Sequence, residues 1–225
     1  SKVTIVEMMD RILPIEDEEV SKELERHYKK AGIKILTNTK VVSAKVLDNQ
    51  VQVTVEKSDN KQEVLTSDYA LNAIGIQANI ENIGLENIGV KVERGFIEVN
   101  QYMQTNVEGI YAIGDVAGGY QFTHVAGYHA GIVIRNALFN LPAKADHSAV
   151  PWVTYTDPEL AHVGLTEADA MEKDARACAV KWHFAENDRA QAERATEGLI
   201  KAVISPKGIV LGATIVGRHA GELIL

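Results

Sequence analysis

The sequence predicts an α/β protein that opens as a doubly wound parallel sheet and ends as an antiparallel α+β region. Three observations predict it. Residues 3–7 (VTIVE) and 33–36 are apolar runs of strand length separated by a helical period, the order of a parallel crossover. Between Val41 and Leu65 the pattern changes to alternation, with Val51, Val53 and Val55 on one face and Gln52, Thr54 and Glu56 on the other. Beyond Leu141-Pro142 strand-like runs succeed one another with short helical pieces between them.

Each element follows from local chemistry. The acidic run Glu16-Asp17-Glu18-Glu19 suits a helix N-terminus, where exposed N–H groups favour negative charge. Val20, Leu24 and Tyr28 then recur every four residues, and Gly32 stands where the helix must end in a left-handed residue. Asp48-Asn49 and Ser58-Asp59-Asn60 are turn signals inside the alternating region, which reads as an antiparallel meander. Residues 69–74 read as a further buried strand ending at Gly75, and residues 96–99 and 109–113 as two short strands, the second running into Gly114-Asp115. A helix is expected over residues 123–139, with Val125, Ile132, Val133, Ala137 and Leu138 as its apolar stripe. Strands are expected over residues 150–155, 179–184, 199–204 and 209–216. Residues 166–173 read as a helix capped by Thr166, with Asp169 at the third helical position.

Composition narrows the function. With 46% hydrophobic and 24% charged residues the chain is globular, and a net charge of -8 with scattered Lys and Arg argues against a nucleic-acid partner. No apolar run approaches the roughly 20 residues of a membrane-spanning helix, and residues 1–7 do not read as a signal, so no membrane role and a cytoplasmic location are expected. The single cysteine, Cys178, allows neither an intrachain disulfide nor a CxxC pair, and reads as a packed side chain.

Two positions invite a ligand. Glu7 ends the first strand, and in a doubly wound sheet ligands lie beyond the carboxyl ends of the strands. From position alone it is either an acceptor for the ribose hydroxyls of a dinucleotide or a solvated strand-end acid. Tyr111-Ala112-Ile113-Gly114-Asp115 places a second carboxylate just past a strand, before Gly118-Gly119 and the N-terminus of the next helix. Such an acid suits sugar or polyol hydroxyls, and is equally compatible with an ordinary loop aspartate. His124 and His129 are five apart, and the other histidines lack ligand spacing, so no metal site is expected. There is no GxSxG or GxxxxGK[ST] motif, which leaves hydrolase and nucleoside triphosphatase chemistry without a foothold. Tyr155-Thr156-Asp157-Pro158-Glu159 reads as a proline-fixed turn rather than a set of catalytic acids.

Taken together these segments resemble the pyridine nucleotide-disulfide oxidoreductase family over nearly the whole chain, most closely its dihydrolipoamide dehydrogenase branch. Residues 105–115 (TNVEGIYAIGD) look like the family's second FAD motif. Residues 155–159 through Val163-Gly164-Leu165-Thr166-Glu167 look like the opening of its interface domain, and residues 213–223 like a later interface strand and the helix after it. The resemblance implies residues 1–77 as the C-terminal part of an NAD-binding domain, 78–148 as the C-terminal segment of an FAD-binding domain, and 149–225 as the truncated start of a dimerisation domain.

Carried across, the likeness implies that Glu7 holds the adenine ribose of NAD, Val41 lies beside the adenine, and Ala73, Ile74 and Gly75 line the nicotinamide side. Gly114 and Asp115 would meet the ribityl chain of FAD, with Thr123 and His124 at the flavin's pyrimidine edge. Ile76 stands where the family motif has Arg, and Gln121-Phe122-Thr123 looks more like mercuric reductase, which makes a mercuric reductase-like NAD(P)H-dependent enzyme the second reading and a non-catalytic NAD-binding module the third. The expected function is electron transfer from a dihydrolipoamide-like dithiol through a disulfide and FAD to NAD, in a homodimer. The family's redox disulfide precedes the matched segment and its His-Glu pair follows it, so no catalytic residue is expected within residues 1–225, the isolated chain is expected to be inactive, and its ends, falling inside predicted elements, suggest truncation.

Overall fold

Thr4–Val6 (β1) and Lys34–Leu36 (β2) lie side by side as a parallel pair in the computed structural model, which describes residues 1–225. The crossover between them is the helix Glu18–Lys30 (α1). Asp17 caps it, accepting from the N–H groups of Glu19 and Val20 at 3.1 and 3.4 Å, while Glu18 and Glu19 fill the first turn and His27, Lys29 and Lys30 the last. Gly32, at φ +85°, follows the helix in the left-handed conformation that glycine adopts without a Cβ penalty. Val20 and Leu24 are fully buried, against Ile12, Leu160, Leu199 and Val216.

The meander follows as Thr39–Leu47 (β3), Gln50–Lys57 (β4) and Gln62–Ser67 (β5), an antiparallel sheet in that order. Alternation predicted strands here correctly. The two faces differ little in burial: Val55 is fully buried, but Val51 and Val53 are half-buried, as are Gln52, Thr54 and Glu56. A bulge at Val41/Ser43 turns both Val41 and Val42 outward.

The expected buried strand over residues 69–74 is not formed. This run belongs to no sheet, and Tyr69, Leu71 and Ile74 are 91–92% exposed. Apolar β-formers fit a pleated, half-buried surface, and without neighbouring strands to pair their backbone the propensity alone does not make a strand.

Ser1–Asn72 and Pro151–Leu225 make one compact unit, and Ala73–Val150 make a second. The second contains a one-turn helix Leu85–Ile88 (α2), a two-residue ladder of Val92–Glu93 (β6) with Phe96–Ile97 (β7), and the helix Thr123–Phe139 (α3), whose ends agree with those expected. The strand expected at 96–99 is therefore shorter. The one expected at 109–113 shrinks to a single bridge between Gln104 and Tyr111, flanked by the bonds Thr105 N–H to Ile110 O and Ala112 N–H to Met103 O. Asn106 holds this loop, donating to the Gly89 carbonyl and accepting from Lys91 N–H, both at 2.8 Å. Val125 and Ile132 of the expected stripe are buried and His129 shares their face, whereas Leu138 is 71% exposed.

In the C-terminal part, Trp152–Thr154 (β8), Glu159–Gly164 (β9), Cys178–His183 (β10), Leu199–Ile204 (β11) and Val210–Gly217 (β12) form one antiparallel sheet, ordered β10-β11-β12-β9-β8. Strand β9 lies within the motif of residues 155–167 and is not among the strands expected from the sequence. Glu167–Lys173 (α4) carries the complete capping box of Thr166 and Asp169; Asp188–Glu193 (α5) and Ala220–Leu223 (α6) are short. Cys178 is exposed rather than packed. It stands at the start of β10, an edge strand that only β11 pairs, so no second strand covers it. Residues 155–158 form the turn into β9, with Thr156 Oγ1 donating to the Pro158 carbonyl at 2.7 Å.

Candidate functional site

The carboxyl end of β1 is built by backbone bonds that extend the parallel pair by one residue. Glu7 N–H donates to Leu36 O at 2.8 Å, and Glu7 O accepts from Thr39 N–H at 3.0 Å. The carboxylate is half-buried, and its Oε1 accepts from Met9 N–H at 2.9 Å. Thr39, 3% exposed, begins β3, so Val41 stands two residues beyond the Glu7 contact with its side chain 46% exposed. The structure thus presents an acid and an apolar surface at one strand end. Ala73, Ile74 and Gly75 belong to the second unit and are all exposed, with Gly75 at φ +131°.

The second site is the turn ahead of α3. Gly114 opens a short 3-10 turn, Gly114–Ala117, at φ +66°. A Cβ here would lie 2.8 Å from the Ala126 Cβ, so only glycine lets the turn approach α3 this closely. Gly114 N–H donates to His129 Nδ1 at 3.2 Å. The next residue, Asp115, is exposed. Helix α3 starts at Thr123 and has no side-chain cap: Phe122 occupies the capping position, and the first turn holds no acid. Its first N–H groups, on Thr123 and its neighbours, therefore keep the positive end of the helix dipole uncompensated by a cap. Beside it the amide Nε2 of Gln121 is buried without a hydrogen-bond partner, and the Phe122 and His124 rings stack at 5.5 Å.

Three residues escaped the sequence reading. By spacing alone His129 is only a poor metal ligand. Its place four residues after Val125 and three before Ile132 was the signal that it shares their buried face. His147 is brought to it from 18 residues away, the two Nε2 atoms lying 2.8 Å apart. Lys201 is 3% exposed on the apolar face of β11, between Leu199 and Val203, and it pairs with Asp17, Glu19 and Glu167 at 2.9, 3.3 and 2.7 Å. Its pKa is raised: burial opposes the charge, but hydrogen bonds from Lys201 to Glu167 and Asp17 outweigh it. No cluster of three or more His, Cys, Asp or Glu is arranged for a metal ion, and no helix is long and apolar enough to cross a membrane.

A parallel crossover with an acid at its strand end, a Gly-Asp turn feeding an uncapped helix and a five-stranded antiparallel sheet define an α/β class with an appended α+β region. Residues 1–130 match the family model described as pyridine nucleotide-disulphide oxidoreductase, and residues 150–225 match that of the family's dimerisation domain. The chain belongs to the pyridine nucleotide-disulphide oxidoreductase family. It is 41% identical over 225 residues to a dihydrolipoyl dehydrogenase of Rhizobium etli, covering 99% of this chain and 47% of that protein. It is 40% identical over 226 residues to that of Mycobacterium leprae, covering 99% and 48%. Among solved structures it is similar to the HOCl-induced flavoprotein disulfide reductase RclA of Escherichia coli, with TM-score 0.90, 32% identity and coverage of 100% of this chain and 51% of that one. LpdA of Mycobacterium tuberculosis gives TM-score 0.88 at 28% identity, covering 99% and 48%. The chain spans about half the length of the curated relatives it matches.

Proposed function

We propose that this chain carries the NAD and FAD contacts of an oxidoreductase that passes electrons from a dihydrolipoamide-like dithiol, through a disulfide and FAD, to NAD. In this reading residues 1–77 belong to the NAD-binding domain, 78–148 to the FAD-binding domain and 149–225 to the interface of a homodimer. What supports it most is the turn at Gly114-Asp115. A carboxylate free to accept from polyol hydroxyls sits on a glycine that lets the backbone come close, directly ahead of an uncapped helix. The buried, unpaired Nε2 of Gln121 beside that helix fits the same reading, since a buried donor without an acceptor is what a bound acceptor group would satisfy.

Bound there, the flavin would supply two-electron transfer between a thiolate and a nicotinamide. The chain's own residues bind and orient. Asp115 accepts from the ribityl hydroxyls. Thr123 and His124, in the first turn of α3, set positive helix-dipole potential against the pyrimidine edge, where charge develops on reduction. Glu7 accepts from the adenine-ribose diol with the carboxylate capacity that Met9 N–H leaves over, and its charge repels a 2′-phosphate, favouring NAD over NADP. Val41 gives an apolar flank to the adenine, and Ala73, Ile74 and Gly75 the nicotinamide side. Cys178 is the sole cysteine, so residues 1–225 hold no redox disulfide, and in this reading the family's His-Glu pair follows the matched segment.

The test is the protein in its natural length, assayed for bound flavin and for NAD reduction by dihydrolipoamide. Flavin retained by the parent and lost on Asp115→Ala, with NAD preferred over NADP, is the expected result. A flavin-free protein, or full flavin retention in the variant, would overturn the reading.

A further inference from the structure

Helix α3 grips Gly114 twice with one face. Ala126 limits the space above its Cα, and His129, one turn further along the same face, accepts its N–H. On the other side of the loop Ala112 N–H is bonded to Met103 O, so the backbone either side of Ile113 is held before it reaches Asp115.

The histidine that does this is part of a chain of single hydrogen bonds. Gly114 N–H can only donate, so His129 Nδ1 is the bare nitrogen and Nε2 carries the proton. That proton points at His147 Nε2, 2.8 Å away, which must then be the bare nitrogen of its own ring. His147 is kept there by the segment that follows α3. Asn136 exchanges two bonds with Ala143, and Tyr128 Oη accepts from Asp146 N–H at 2.8 Å.

Around the pair, His129 is 3% exposed and its ring meets His147 edge-on at 5.1 Å. The Tyr120 and Tyr128 rings lie 6.1 Å from that of His147, and Asp146 is the charged neighbour on its own segment. In the neutral arrangement Gly114 N–H and His129 Nε2–H each have an acceptor. An added proton has only two places to go, His129 Nδ1 or His147 Nε2, and at either it would face another N–H. Burial, and then the neighbouring imidazole of His147, hold the His129 pKa below its ordinary value.

We propose that His129 is the positioning residue of the Gly114–Asp115 turn, and that it holds the turn only while the His129–His147 pair is neutral. Resting on the flavin reading of Asp115, this makes flavin retention proton-linked: tight where the pair is neutral and weakened as pH falls below the ordinary histidine range.

The experiment uses the natural-length protein with two readouts, FAD affinity and hydrogen exchange of the backbone around residues 110–118 in the flavin-free form, corrected for intrinsic pH effects. His129→Leu, which leaves Gly114 N–H without an acceptor, is expected to weaken FAD binding and speed exchange by about tenfold at about pH 8. His129→Asn, whose Oδ1 accepts at the same place without titrating, is expected to stay within about threefold of the parent there. Between about pH 8 and pH 5.5 the parent should lose FAD affinity and exchange protection by about tenfold while His129→Asn stays level. Unchanged exchange in His129→Leu, or parental pH dependence in His129→Asn, overturns the proposal. Asp115→Ala separates the two ideas: should it keep parental FAD affinity, the flavin reading fails, while the exchange data still decide whether His129 holds the turn.

Discussion

Lys201, in the middle of β11, donates to both carboxylate oxygens of Asp17, at 3.0 and 2.9 Å, across 184 residues of sequence. The same carboxylate caps α1, so one acid joins the crossover helix to the antiparallel sheet. Replacing Lys201 by Ala leaves Asp17 buried without its counter-charge, and a loss of about 3–5 kcal/mol is expected. Lys201→Met, which keeps the stem, is expected to cost as much, since the charge is what the buried acid lacks. Denaturant unfolding of both variants checks this, and a loss below about 1 kcal/mol would show that the cluster does not hold the unit together.

Alkaline pH should act on the same cluster. A lysine pKa raised by folding contributes stability that is complete below the unfolded value of about 10.4 and is lost as pH rises through the folded value. Unfolding free energies measured upward from about pH 9 should therefore fall more steeply in the parent than in Lys201→Met. Parallel curves would contradict it.

Glu16 gives the same sign in a lower pH window, since its pKa too is raised by folding. It is 3% exposed; Oε1 accepts from Trp152 Nε1–H at 2.9 Å, whereas Oε2 is buried without a partner. Burial raises its pKa against those hydrogen bonds, so the folded state holds the proton more firmly than the unfolded one. Stability from this group is present below the unfolded pKa of about 4.3 and declines as pH rises through the folded value. Glu16→Gln removes the titration, and its stability relative to the parent should improve between about pH 4 and pH 7. A constant difference across that range would refute the assignment.

Gly114→Ala combines a left-handed φ with a Cβ placed 2.8 Å from Ala126, and should destabilise the turn by at least about 1–2 kcal/mol. In the natural-length protein it should also lower flavin retention. Parental stability and flavin content would show that the close approach is not required.

For NAD, Glu7→Ala in the natural-length protein is expected to raise the KM for NAD by about tenfold or more, the loss of one charge-assisted hydrogen bond. Discrimination against NADP should narrow at the same time, and steady-state kinetics with both nucleotides read the two effects. An unchanged KM with unchanged discrimination would remove Glu7 from the site.

Much of this architecture was written locally. Four-residue periodicity gave α1, an N-capping threonine with an acid three residues on gave α4, and alternation gave the meander, because each depends only on neighbours along the chain. The two candidate acids were legible for the same reason. Glu7 ends an apolar run, and Asp115 follows a Gly ahead of a helix. Residues 69–74 had equal local credentials and form no strand, since a strand needs partners that its own sequence does not contain.

The sequence by itself determined the helices α1, α3 and α4, the meander and which short motifs face the ends of these elements. Only the tertiary structure decided that Lys201 and Asp17 are buried together, that Glu16 loses its water, and that His147 returns to His129, which in turn accepts the Gly114 N–H. The reason is physical: periodicity records how a residue relates to its neighbours. Burial and pairing depend on groups that folding brings from far along the chain, and it is these that set charge, tautomer and exposure.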